Sequence, residues 1–113
     1  MKMNIVVKLE LEGLHHWPNC PLPEVAYLKD LHRHIFHIVA KKEVMHSDRD
    51  VEIIMFKKLL KVYLVKQYWD TDYKCCNFRT LSCEAIAEEL LTTFKLTFCS
   101  VLEDNENGAE ITN

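Results

Sequence analysis

The 113-residue chain is the size of one compact domain, and its 49% hydrophobic residues can fill a single core, which excludes disorder and fibrous architecture. Fourteen basic against 17 acidic side chains give a net charge of −3, which argues against a phosphate backbone as partner. No apolar run approaches the roughly 20 residues that cross a bilayer, and no secretory leader is legible, so the expectation is one cytoplasmic domain spanning residues 1–113 with no membrane partner. Five cysteines (Cys20, Cys75, Cys76, Cys83, Cys99) without a C-x-x-C pair read as reduced thiols. Six histidines are more informative, because five of them fall between positions 15 and 37.

From Lys8 the chain alternates strictly, with Lys8, Glu10 and Glu12 on one side and Leu9, Leu11, Gly13 and His15 on the other. That period of two predicts a half-buried strand ending near His16. Pro18, Pro21 and Pro23 then make Trp17 to Asp30 a long connecting loop, with room for one short turn of helix. Leu31 to Val44 reads as a second strand pairing antiparallel with the first, with His32, His34, Phe36 and Ile38 on one face.

Ser47 to Asp50 suits a turn and helix cap, and Ile53, Phe56, Leu60, Tyr63 and Leu64 recur at helical spacing with Lys57, Lys58 and Lys61 opposite. Tyr68 to Arg79 shows neither period. A second helix starts from Ser82 as cap and ends near Phe94. Leu96 to Glu103 alternates as a third strand, and Asn107-Gly108 is a hairpin signal leading to a fourth strand from Ala109. The expected order is strand, strand, helix, helix, strand, strand: a four-stranded antiparallel α+β sheet with two helices on one face. Its uncovered face and open edges predict a homo-oligomer.

His32 and His34 project from one strand face about 7 Å apart. His15, at the end of the neighbouring strand, can approach as a third nitrogen ligand. Three neutral imidazoles around Zn²⁺ leave a fourth position for water or substrate, the arrangement of a catalytic site. Paired core or surface histidines are the alternative reading of the same spacing.

The segments Leu11-Glu12-Gly13-Leu14-His15, His32-Arg33-His34-Ile35-Phe36, Ser82-Cys83-Glu84-Ala85-Ile86-Ala87 and Val101-Leu102-Glu103-Asp104 together resemble the family of 6-pyruvoyl- and 6-carboxy-tetrahydropterin synthases. Order and spacing agree over about Leu9 to Ile111. The resemblance implies a tunnelling fold (T-fold), ββααββ, closed into a trimer or hexamer. It implies zinc bound by His15, His32 and His34. Glu103 would accept from the ring N–H groups of a pterin or purine-like substrate, with Glu84 lining the same pocket or serving as a first-turn helix charge.

The implied function is a zinc-dependent lyase acting on a dihydroneopterin triphosphate-type substrate; the alternative is a non-catalytic pterin, deazapurine or nucleotide-binding homologue. The chain departs from the family pattern in several places. Ala26 to Asp30 occupy the place of the family's catalytic cysteine, leaving Cys20 as the candidate catalytic thiol or as a packed, unreactive one. The family's histidine of the second half has no counterpart, the D-F pair before the first helix reads Met55-Phe56, and Arg33 replaces the glycine of H-G-H.

Overall fold

The computed structural model describes all residues, 1–113. The alternation in the first third of the chain becomes two 13-residue strands, β1 (Met3–His15) and β2 (His32–Val44), which pair antiparallel over their full length from Met3↔Val44 to His15↔His32. Between them Pro23–Lys29 forms a short 3-10 helix with proline in its first turn, where the missing N–H is not needed. Helix α1 (Ile53–Tyr68) follows. It is capped by Glu52, whose carboxylate accepts from the amides of Ile54 and Met55, rather than from within Ser47 to Asp50. Those two bonds hold the Glu52 carboxyl below its usual range.

The stretch without periodicity supplies two short strands, β3 (Trp69–Asp70) and β4 (Cys75–Asn77). Two and three residues are too few for alternation to register. Helix α2 (Cys83–Phe94) starts at Ser82, whose hydroxyl accepts from Ala85 N at 3.1 Å as expected, and the chain closes with β5 (Phe98–Glu103) and β6 (Asn107–Thr112).

The sheet therefore has six strands in the order β3-β4-β1-β2-β5-β6, and β4 runs parallel to β1 through Gly13↔Cys76 and Leu14↔Asn77. This overturns the expected four-stranded antiparallel sheet with two helices, and the tunnelling-fold description that carried it. The chain is still α+β, but with a mixed sheet and three helices, counting the 3-10 segment.

The expected hairpin signal is displaced as well. The β5–β6 turn centres on Asp104 and Asn105, both left-handed at φ 54° and 58°, with Glu106 N bonded to Glu103 O. Asp and Asn tolerate that region because their side chains can bond locally. Gly108 instead lies within β6 with no positive φ, and a Cβ there would come within 1.9 Å of the Val101 carbonyl oxygen. It serves close approach, not turning.

Both α-helices cover one face of the sheet. Phe56, Leu60, Leu64 and Tyr68 of α1 and Ile86, Ala87 and Leu90 of α2 pack with Val7, Leu9, Leu11, Phe36, Ile38 and Val101 into a single core. The hydroxyls of Tyr63 and Tyr68 both donate to Glu89, tying the helices together. Burial followed by this carboxylate pushes the Tyr68 hydroxyl well above its usual range. Beyond Glu12, β1 has β2 as its only strand neighbour toward the N-terminal end, so one edge of its Met3–Glu12 stretch carries no ladder. No helix is long and apolar enough to cross a membrane.

Candidate metal centre

Register brings the histidines together. His15 lies directly opposite His32, and His34 lies opposite Gly13 two residues further along, so all three rings project from the helix-covered face at the end of the sheet. Their ligand-capable nitrogens lie within 4.8 Å of one another. Gly13 makes room beneath them, since a Cβ there would meet the Phe78 ring at 2.6 Å and the Phe36 ring at 2.9 Å. Phe36 stands edge-on to His15 and His34 at centroid distances of 5.3 and 5.8 Å, forming an apolar floor.

Each ring is fixed through Nδ1. His15 Nδ1 is 2.9 Å from Leu81 O, His32 Nδ1 is 2.8 Å from Asp30 O, and His34 Nδ1 is 2.8 Å from Asp104 Oδ2. A carbonyl or carboxylate oxygen can only accept, so each Nδ1 carries a proton, and it is Nε2 that presents the lone pair when a ring is neutral. This is the outer-shell pattern of metal-binding histidines. Burial, ahead of every other influence, lowers the His15 pKa, the bond to Leu81 and the Glu103 charge opposing it only in part. The ring is therefore kept neutral.

Glu103 ends β5 opposite Phe36. Its carboxylate lies 2.9 Å from His15 Nε2 and 3.5 Å from His34 Nε2. Those separations resemble ion pairs, yet His15 Nε2 and His34 Nε2 are buried without a hydrogen-bond partner. The fixed tautomers account for both facts, because lone pairs and carboxylate oxygens are all acceptors and cannot bond to one another. A cation among the rings would satisfy both bare nitrogens. The donor set of three imidazoles suits Zn²⁺, whose Zn–N bonds of about 2.0–2.1 Å require nitrogens roughly 3.3 Å apart in a tetrahedral shell.

His15, His32 and Glu103 form one wall of a cavity of about 460 Å³, lined also by His16, Trp17, Ser82, Cys83, Glu84 and Asn107. Glu84 and Glu103 thus face the same space from α2 and β5. Cys83 Sγ donates to Glu103 at 3.6 Å, and burial first, then the Glu103 charge, pushes the thiol up to about 12. Cys20 is elsewhere. It is buried, its thiol directed at the carbonyls of Leu22 and Val25, and it is not among the cavity-lining residues.

Of the residues the sequence points to, His15, His32, Glu84 and Glu103 line one cavity and His34 joins the histidine cluster behind it, whereas Asp104, Cys83 and Trp17 carry no such signal. The Asn107-Gly108 turn signal draws attention away from Asp104, which sits in the actual turn. Trp17 and Cys83 carry no spacing signal, since each lines the site through tertiary folding alone.

No family model matches the chain, and no curated protein matches it. Among solved structures it is similar to uncharacterized protein WS1659 from Wolinella succinogenes, with a TM-score of 0.69 at 12% identity, covering 100% of this chain and 99% of that one. At that identity the likeness concerns the fold alone.

All five cysteines are unpaired and buried. At pH 8 the native protein should therefore react slowly with a thiol-disulfide reagent and release five equivalents only on denaturation. Fast labelling of Cys20 in the native protein would show an accessible thiolate and contradict this packing.

Proposed function

We propose that the protein is a cytoplasmic zinc-dependent lyase, similar in chemistry to the 6-pyruvoyl- and 6-carboxy-tetrahydropterin synthases, acting on a dihydroneopterin triphosphate-type substrate. The observation that carries this reading is the pair of buried, unpartnered imidazole nitrogens of His15 and His34 facing Glu103, which a bound cation would satisfy. His15, His32 and His34 would hold the ion. Bound there, zinc would supply Lewis-acid polarisation of substrate oxygens.

The remaining roles belong to the chain itself. A cavity of about 460 Å³ suits a bicyclic heterocycle with a short side chain. Glu103, with 30% of its side chain exposed, reaches both the nitrogens and the cavity. A carboxylate accepting two parallel N–H groups of a pterin or purine-like ring is a strong orienting contact. Glu84 offers a second acceptor from the start of α2. Phe36 and Phe78 keep water from the far side of the cluster.

A second reading, a binding homologue without turnover, is favoured by one observation: the Cys20 thiol bonds to carbonyls in its own loop and offers no base to the cavity. Both readings share the metal and the ring anchor. They part on conversion of dihydroneopterin triphosphate, which a lyase consumes and a binding protein returns unchanged.

The expected zinc content is one ion per chain, lost in His32→Ala and His34→Ala. Retention in both, with loss in a cysteine variant, would contradict the assignment. Exchanging one Glu103 oxygen for an NH₂ sets a donor against a donor, so Glu103→Gln should bind sepiapterin about 30- to 150-fold more weakly in calorimetry, roughly 2–3 kcal/mol, with zinc intact. Equal affinities would remove Glu103 from the ring.

The unladdered edge of β1 and the outer edge of β6 support a closed homo-oligomer, a trimer or hexamer. Light scattering should give three or six times 13.3 kDa. A 13.3 kDa species at micromolar concentration would exclude it.

A further inference from the structure

Asp104 stands where an ordinary hairpin residue would suffice, yet it makes three specific bonds to β2. Its amide donates to Ile35 O at 2.8 Å, its Oδ1 accepts from Ile35 N at 2.9 Å, and its Oδ2 accepts from His34 Nδ1 at 2.8 Å. It does so at φ 54°, a region that L residues other than Asn and Asp rarely occupy. A left-handed residue held by bonds to another strand points to a constraint beyond turning the chain. The preceding residue is Glu103, and Asn107 and Gly108 on the far side of the turn line the cavity. One hairpin therefore carries both the orientation of a ligand ring and a wall of the pocket.

We infer that Asp104 is a positioning residue of the metal centre, its carboxylate holding the His34 ring so that Nε2 faces the ion and forming with it a carboxylate–histidine–metal relay. This inference rests on the metal-site reading of His15, His32 and His34. His15 and His32 are oriented by neutral backbone carbonyls, at Leu81 and Asp30. Asp104 is the single charged group in the outer shell. A charged acceptor raises the basicity of the opposite ring nitrogen more than a neutral one does, and removal of such partners typically weakens metal binding 10- to 100-fold. A residue needed only for the turn would leave affinity untouched.

Two variants separate these roles in the full-length protein, with zinc alone as the probe. Asp104→Gly keeps the left-handed turn, because glycine adopts positive φ freely, but deletes the carboxylate. Asp104→Asn keeps both the turn and the size, yet offers one acceptor oxygen where two are used, and it reads the same affinity should the glycine variant fail to fold. By chelator competition, Asp104→Gly should bind zinc 10- to 100-fold more weakly than wild type, with Asp104→Asn weakened by a smaller factor. Metal-free melting curves report separately what the lost bonds to Ile35 N and His34 cost the fold, and the visible spectrum of the cobalt-loaded variants should shift. Wild-type zinc affinity and an unchanged cobalt spectrum in the folded variants would overturn the positioning role while leaving the metal site standing. Failure of the wild type itself to bind zinc would overturn the metal site and this inference with it.

Discussion

Three hydrogen bonds from imidazole Nδ1 atoms to oxygen acceptors determine what this site can do. With Leu81 O, Asp30 O and Asp104 Oδ2 accepting from the Nδ1–H groups of His15, His32 and His34, the opposite nitrogens of the neutral rings present lone pairs. Two of them are buried and look onto a carboxylate. A polar arrangement made only of acceptors, set over the rings of Phe36 and Phe78, is costly unless something positively charged completes it.

The rest of the fold serves that geometry. The full-length register of β1 against β2 sets His15 opposite His32 and gives His34 a glycine as neighbour, so that the aromatic floor fits under the rings. β5 pairs with β2 so that Glu103 meets Phe36, which delivers its carboxylate diagonally to His34. The parallel pairing of β4 to the end of β1 brings Phe78 beneath the cluster and leads the chain to Leu81, the partner of His15, and then to Cys83 and Glu84 in α2. Those two short strands were absent from the expected sheet, yet they connect α1 to the side of the pocket formed by α2.

Where a physical signal was periodic, it was legible in the chain. Alternation from Lys8 to His15 and from Leu31 to Val44 located both long strands and the face their histidines share. Ser82 marked the start of α2. The segment from Tyr68 to Arg79 was opaque because strands of two and three residues have no period, and their pairing is decided by β1, far away in sequence. The hairpin was misplaced because Asn-Gly is a turn signal only where glycine needs a positive φ. Gly108 is instead demanded by a backbone contact with Val101, while Asp104 and Asn105 take the left-handed positions. It is this displaced turn that brings Asp104 to His34. Cys20 looked eligible by position in its loop, but no local rule could foresee that its thiol would turn toward Leu22 and Val25.

The proposed metal centre requires the three Nε2 atoms to converge on one divalent ion. X-ray absorption at the zinc edge of the metal-loaded protein tests it most directly, because nitrogen and sulfur ligands differ in distance by about 0.2–0.3 Å. A three-histidine site should give a first shell of nitrogen and oxygen at about 2.0–2.1 Å, with the outer-shell scattering of three imidazoles. Sulfur at about 2.3 Å, or fewer than two imidazoles, would place the metal elsewhere and contradict it.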